Sequence, residues 1–246
     1  LAYTQEPAVA LVEFLNENSL VEAWMDNRLR GENTRKNPGT WTDITASYAA
    51  DLTAKYNVWL KEKYSPQVLR QWREAAGLAA DAPIPRLNAD QFGKASPERF
   101  HAEAEFYLDV ERNFYLGMGK FLRAELGVKS LVIGNSDHGH YRTGYPQLAG
   151  ISLLDVVDSH VYWQHPNTVN APQAGRETGF TIGNTPMVDD PLFSTVVQLS
   201  RSAFAGKPFT VSEVNHPFPN EFACEGIPIL AAYGALQDWD GIFCYT

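Results

Sequence analysis

The sequence predicts an α/β fold with parallel strands. Five short apolar runs of strand type alternate with segments of helical periodicity, and this order is typical of parallel βα units. The chain has 246 residues, which is enough for one large α/β domain or two small ones, and 44% of them are hydrophobic, so a sizeable core can be buried. The first and fourth runs each end on a glutamate, and the carboxyl ends of parallel barrel strands form the active face.

The elements can be placed in order along the chain. Ser19 is suited to cap the first helix, and Ser-Pro pairs at 65–66 and 96–97 mark two further helix starts. Helices are predicted over residues 20–25, 43–64, 65–76, 96–126, 191–204 and 227–236. Strands are predicted over residues 8–17, 130–134, 153–160, 209–213 and 241–245. Residues 163–191, rich in Pro, Gly, Asn and Thr, are predicted to form a long loop at the active face.

The number of strands leaves two architectures open. A closed (β/α)8 barrel, or TIM barrel, has eight strands, whereas five are predicted here and the chain ends on a strand. A helical insertion over about residues 27–95 separates the first strand from the second. The chain is therefore expected to be either an open α/β sheet or the last five strands of a barrel whose first three units lie upstream.

The composition excludes several classes of partner. The formal net charge of -9 argues against binding to nucleic acid and to anionic membrane surfaces. No apolar run reaches the ~18 residues that a membrane span needs. Cys224 and Cys244 fit no metal or disulfide motif, and they leave their own pairing and the redox compartment open. Three tryptophans at helical spacing are predicted to belong to the core: Trp24, Trp59 and Trp72.

Four segments resemble a known enzyme superfamily. Asn16-Glu17 resembles the Asn-Glu pair on strand four of the (β/α)8 glycoside hydrolases that have catalytic glutamates on strands four and seven. The family 5 cellulases and mannanases belong to that superfamily. Residues 158–162, Asp-Ser-His-Val-Tyr, resemble the His-x-Tyr of strand six, residues 210–213 resemble strand seven, and residues 237–243 resemble the approach to strand eight. The resemblance implies that residues 1–246 form strands 4 to 8 of a catalytic TIM barrel, incomplete at its N-terminus.

The same resemblance implies an activity. It is retaining hydrolysis of β-glycosidic bonds in oligo- or polysaccharides, with no cofactor or metal, by a secreted or periplasmic enzyme. Glu17 would be the acid/base and Glu213 the nucleophile, with their carboxyls about 5 Å apart. Asn16 would bind the sugar 2-hydroxyl, Tyr162 would donate a hydrogen bond to the nucleophile, and His160 would position the pair.

Other side chains near these segments are candidates for related roles. Trp163 follows the His-x-Tyr segment directly and is expected either to stack on a sugar ring or to pack in the core. His138 follows the second strand and is expected to contact the substrate. Glu13 shares the first strand and is expected to be structural. Glu221 and Glu225 compete with the predicted nucleophile, but they lie beyond the fourth strand.

Two other functional classes remain open. A metal-dependent barrel hydrolase gathers His and Asp at strand ends, and the available histidines would be His138, His140, His160 and His216. A non-catalytic carbohydrate-binding relative would keep an aromatic cleft, but it would not need both glutamates.

The two outer strands are expected to need a partner. Parallel strands rich in Val, Leu and Phe expose backbone donors and apolar faces when they lie at a sheet edge. Upstream barrel units or a second copy of the chain are therefore expected to cover the first and last strands.

Overall fold

The computed structural model describes residues 3–32, 42–139, 144–170 and 177–245. The chain divides into two compact units. The sheet unit comprises Leu1–Glu17, Tyr115–His140 and Ile151–Thr246, and the helical unit comprises Asn18–Phe114 and Tyr141–Gly150.

The predicted strands and helices occur in the predicted order, and one helix and two strands occur that were not predicted. The strands of the described ranges are β1 (Leu11–Glu13), β2 (Leu131–Asp137), β3 (Val156–Tyr162), β4 (Asn167–Asn170), β5 (Glu177–Thr181), β6 (Phe209–Asn215) and β7 (Gly241–Cys244). The α-helices there are α1 (Leu20–Met25), α2 (Ala46–Lys63), α3 (Pro66–Ala75), α4 (Pro97–Lys120), α5 (Gly144–Ile151), α6 (Thr195–Ser200) and α7 (Gly226–Leu236). None of these helices is both long enough and apolar enough to cross a membrane.

The sheet unit contains a curled, all-parallel half-barrel of five strands in the order β1-β2-β3-β6-β7. The predicted parallel α/β arrangement is therefore confirmed. Among the described residues, β1 pairs with β2 alone and β7 pairs with β6 alone, so each leaves one edge open. The assignment of these strands as barrel strands 4 to 8, and of the helical unit as an insertion, stays a prediction.

The central strands change from apolar to polar along their length. In β2, Val132 and Ile133 are followed by buried Asn, Ser and Asp at positions 135–137. In β3, two buried valines are followed by buried Asp, Ser and His at positions 158–160. Burying polar side chains costs free energy unless they are hydrogen-bonded. The polar residues at the carboxyl ends of these strands therefore indicate a functional site there.

β1 is shorter than the predicted strand over residues 8–17. The amides of Phe14 and Leu15 still donate to the carbonyls of Ile133 and Gly134, at 3.0 and 3.3 Å. Glu17 has a φ of +47°, which lies in the left-handed region and is incompatible with a strand. The chain therefore leaves the sheet before Glu17, and this glutamate lies in the turn after β1 rather than at the end of the strand.

Two other predictions are corrected by the structure. The segment 163–191 is not a continuous loop, because β4 and β5 pair within it as an antiparallel hairpin; such short polar strands show no apolar periodicity. The helix predicted over 191–204 is reduced to α6, because residues 191–194 form a turn in which the Phe193 amide donates to the Asp190 carboxylate at 3.2 Å.

The helical unit has its own core. Trp24 is buried at the centre of it, and Trp59 and Trp72 pack against it partly buried, as predicted. A buried ion pair of 3.1 Å joins Arg99 to Glu103 on α4. The carboxylate of Glu103 also accepts hydrogen bonds from the Leu87 amide and the Tyr107 hydroxyl, and these donors help to offset the cost of burying its charge.

Candidate active site

Glu17 and Glu213 meet at the carboxyl edge of the sheet. Glu213 lies within β6, in register with His160 of β3. One carboxyl oxygen of each glutamate and one ring nitrogen of His160 all lie within 4.8 Å of one another. The side chains of Glu17 and Glu213 are 38% and 21% exposed, so both carboxyls are open to a ligand. The structure thus brings together the two glutamates that the sequence predicted as a pair.

His160 lies between these glutamates and is almost fully buried. Its Nδ1 is 2.9 Å from Glu17 Oε1 and 3.7 Å from Glu213 Oε1. The hydroxyl of Ser136 is 3.3 Å from the same nitrogen. On the other side of the ring, Nε2 is 2.7 Å from Ser212 Oγ. Both ring nitrogens are therefore engaged, and the imidazole is held in one orientation.

Asp158 is a fully buried carboxylate beside His160. Its Oδ2 accepts a hydrogen bond from Ser212 Oγ at 2.6 Å and lies 3.3 Å from His160 Nε2. Its Oδ1 accepts from Thr210 Oγ1 at 2.5 Å and from the Ser212 amide at 3.1 Å. These donors stabilise the buried negative charge. The carboxylate of Asp158 is therefore held in place beside Nε2 of His160.

The surroundings of His160 favour its charged form. Burial alone would lower the pKa of the ring, but the hydrogen bonds to Asp158 and Glu17 and the charges of Asp158 and Glu213 outweigh it. The pKa of His160 is raised to about 9. His160 is therefore a cation at neutral pH, and its charge faces both glutamates.

Tyr162 holds the other oxygen of Glu213. Its hydroxyl donates to Oε2 at 2.8 Å. Burial, followed by the hydrogen bond to Glu213 and the charge of that carboxylate, raises the pKa of Tyr162. The phenol therefore keeps its proton and remains a donor, and it orients the carboxylate of Glu213 through Oε2.

Glu13 belongs to the same cluster, at the end of β1. One of its carboxyl oxygens lies within 4.8 Å of donor atoms of Asp158 and His160. Desolvation of its carboxyl and the charge of Asp158 raise the pKa of Glu13, whereas the cationic His160 lowers it. Glu13 therefore contributes to the charge balance of the site, a role that its position in the sequence alone did not indicate.

The remaining predicted substrate contacts differ in accessibility. Asn16 is exposed and makes no hydrogen bond within the described ranges, so its amide is accessible. Trp163 is only 7% exposed, and its indole N–H donates to the Thr185 carbonyl at 3.1 Å. Its ring therefore packs in the protein rather than offering a stacking face. His138 is half-buried, with Nδ1 3.2 Å from the Ser136 carbonyl.

The two glutamates that compete with Glu213 for the role of nucleophile make hydrogen bonds within the loops. Glu221 accepts a hydrogen bond from the side-chain amide of Asn184 at 3.0 Å, and Glu225 accepts one from the backbone amide of Met187 at 2.8 Å. Cys224 and Cys244 are both free and exposed.

The histidines do not gather into one cluster in the part of the chain that the structure describes. Two groups there bring His and acidic donor atoms within 4.8 Å of each other, and His160 is the histidine in both. His138 and His216 belong to neither group, and His140 lies outside the described residues. Because both nitrogens of His160 are engaged, a metal would have to displace one of its hydrogen bonds.

Sequence analysis missed the side chains that organise His160. Asp158, Thr210 and Ser212 lie within the segments that carry the resemblance, but no role was assigned to them. The available signal was their polarity in strands that are otherwise apolar, since a polar residue in a buried strand needs a partner.

Comparisons with known proteins add little to this geometry. No family model matches the sequence, and no curated protein matches it. Among solved structures, the chain is similar to a GH39 enzyme from Xanthomonas axonopodis pv. citri, with 18% sequence identity and a TM-score of 0.32. The match covers 82% of this chain and 37% of that enzyme, so the chain spans little more than a third of its length. A likeness of this size carries no argument about function.

Proposed function

We propose that this chain hydrolyses β-glycosidic bonds in oligo- or polysaccharides with retention of the anomeric configuration. The observation that supports the proposal most directly is the separation of at most 4.8 Å between carboxyl oxygens of Glu17 and Glu213. Retaining glycosidases separate their carboxyls by about 5–5.5 Å, whereas inverting enzymes need roughly 6.5–9.5 Å to admit a water. The short separation favours direct attack by one carboxylate.

Glu213 is the nucleophile in this proposal. Its attack on the anomeric carbon forms a covalent glycosyl-enzyme, while Glu17 protonates the departing oxygen. In the second step Glu17 takes a proton from the water that hydrolyses the intermediate. Tyr162 keeps Glu213 oriented for attack, and the exposed amide of Asn16 is available to bind the sugar 2-hydroxyl.

Replacement of the nucleophile tests the proposal. Glu213→Gln removes the charge with little change in shape, so we expect hydrolysis of a panel of aryl β-glycosides to fall to background while the circular dichroism spectrum is unchanged. Glu221→Gln is the matched control, because Glu221 is exposed in a nearby loop, and it should keep wild-type activity. A fully active Glu213→Gln protein would overturn the proposal.

A chelator distinguishes this mechanism from a metal-dependent hydrolase. No step of the proposed reaction needs a metal, so we expect activity to survive dialysis against EDTA. Loss of activity that zinc restores would favour the metal-dependent class instead.

A further inference from the structure

The hydrogen bonds around His160 fix the position of one ring proton. The Ser212 hydroxyl has a single hydrogen, which it donates to Asp158 Oδ2 at 2.6 Å. Ser212 Oγ therefore acts as acceptor toward His160 Nε2 at 2.7 Å, and this nitrogen must bear a hydrogen. The opposite arrangement would turn a hydroxyl lone pair toward a fully buried carboxylate, which is unfavourable. Nε2 is thus protonated whatever the charge of the ring.

The other ring nitrogen shares a proton with Glu17. Nδ1 lies 2.9 Å from Glu17 Oε1, and a hydrogen bond of that length requires one hydrogen between the two atoms. The hydrogen belongs either to Nδ1, giving an imidazolium beside a carboxylate, or to Glu17, giving a neutral ring beside a carboxylic acid. The Ser136 hydroxyl, 3.3 Å from Nδ1, suits both arrangements because it can donate or accept.

We propose that His160 stores the proton that Glu17 delivers to the leaving group, and that Asp158 and Ser212 hold the imidazole in the orientation this transfer needs. The inference rests on the proposed function of Glu17 as acid/base. His160 is nearly inaccessible to substrate, so it is a positioning residue that acts through Glu17.

The protons balance over one catalytic cycle. In the first step the glycosidic C–O bond breaks and Glu213 bonds to the anomeric carbon. The shared proton passes from Nδ1 of His160 to Glu17 and from Glu17 to the leaving oxygen, so His160 becomes neutral and Glu17 is left as a carboxylate. In the second step water attacks the anomeric carbon and the bond to Glu213 breaks. The water's proton passes to Glu17 and returns to Nδ1, while the hydrogen on Nε2 never moves.

The negative charges around His160 favour protonation of Nδ1. Glu13 and Glu17 face it from β1 and the following turn, Asp158 from its own strand and Glu213 from β6. Burial opposes protonation, but these interactions outweigh it, and the resulting pKa of about 9 means that His160 is protonated at neutral pH. Glu17 itself is more exposed and has no other hydrogen-bond partner among the described residues.

Ring titration tests the shared proton without requiring any activity. The ¹⁵N-labelled full chain is titrated by long-range ¹H–¹⁵N correlation spectroscopy, with the His160→Gln spectrum used for assignment. We expect His160 to titrate near pH 9 and to keep Nε2 protonated throughout. Glu17→Gln, at an exposed position, should lower the midpoint by about one pH unit or more, because a charge in contact is removed. Glu221→Gln should leave the midpoint unchanged.

The outcomes separate this inference from the proposed function. A midpoint at or below the ordinary value for histidine, a neutral ring protonated on Nδ1, or a midpoint insensitive to Glu17→Gln would each overturn the shared proton. If the chain hydrolyses glycosides, the alkaline limb of kcat/KM should coincide with the His160 midpoint, and a limb that falls well below it would also overturn the inference. A high His160 midpoint in a protein that hydrolyses no glycoside would refute the proposed function and leave the shared proton standing.

Discussion

At the scale of single residues, the site depends on a backbone conformation that strands do not adopt. Glu17 has a φ of +47°, and this turn brings its carboxyl to within 2.9 Å of His160 Nδ1. The left-handed turn therefore places the carboxyl, and the proposed acid/base role depends on it.

Truncation of Glu17 should affect substrates unequally. Glu17→Ala removes the proton donor, so we expect kcat/KM for poor leaving groups to fall by about 10²–10⁴, with a much smaller loss for activated aryl glycosides. Azide should restore turnover of the activated substrates, because a small anion can enter the space left by the side chain. Equal losses for both substrate types would show that Glu17 is not the acid.

Glu111 on α4 makes the stability of the helical unit depend on pH. This carboxyl is buried and accepts hydrogen bonds from the Leu20 amide and Ser19. Burial outweighs those bonds and raises its pKa to about 7. The folded protein therefore binds a proton more tightly than the unfolded chain, and stability must fall as pH rises from about 4.5 to 7. The change is about 3 kcal/mol for a shift of this size.

Glu111→Gln should remove that pH dependence. Glutamine keeps an acceptor for the Leu20 amide but cannot ionise, so denaturant unfolding should show a variant more stable than wild type at pH 8 and similar to it at pH 4.5. Glu105→Gln, at an exposed position of α4, is the control and should follow the wild-type curve. A Glu111→Gln protein that loses stability at pH 8 would contradict the account.

At the scale of elements, the sequence predicted the order of strands and helices better than their ends. The apolar runs located β2, β3, β6 and β7, and capping signals located α3 and α4, because burial and helix ends leave local patterns. The end of β1 could not be predicted, since it is set by a single backbone torsion at Glu17. The β4-β5 hairpin was missed because backbone pairing, not an apolar pattern, defines it.

The candidate site was also predictable in part. Glu17, Glu213, His160 and Tyr162 are brought together as expected, because residues near the carboxyl ends of neighbouring parallel strands lie at one edge. The support from Asp158 was not predictable, since it depends on which polar atoms meet across β3 and β6 in three dimensions. The choice between the two roles left open for Trp163, stacking on a sugar or packing in the core, could not be made from the sequence, because the sequence does not reveal which faces of a ring are covered.

The buried ion pair within α4 should contribute more to the free energy of unfolding than an exposed ion pair on the same helix. Glu103→Ala would leave the buried guanidinium of Arg99 without its carboxylate, and we expect a loss of about 3–5 kcal/mol in the free energy of unfolding. Glu105→Ala is the matched control, because its pair with Lys63 is exposed and should cost about 0–1 kcal/mol. Similar losses for both variants, measured by urea denaturation, would show that burial does not set the cost.

At the scale of the whole molecule, the open edges of β1 and β7 should promote association. Phe243 on β7 is 52% exposed, and a parallel edge strand of this kind offers unpaired backbone groups to another chain. We expect the 246-residue chain to self-associate, as measured by size-exclusion chromatography with light scattering. Phe243→Lys should shift it toward monomer, whereas Tyr233→Lys on α7 should not. A wild-type chain that stays monomeric at all concentrations would contradict this expectation.

The stereochemistry of hydrolysis tests the central claim, that Glu17 and Glu213 form a retaining pair. Time-resolved ¹H NMR of an aryl β-glycoside with the full chain reports the anomer released before mutarotation. The account predicts the β-anomer first, because two displacements at the anomeric carbon restore its configuration. Release of the α-anomer first would mean that water attacks directly, which the separation of at most 4.8 Å between the two carboxyls does not accommodate, and it would contradict the account.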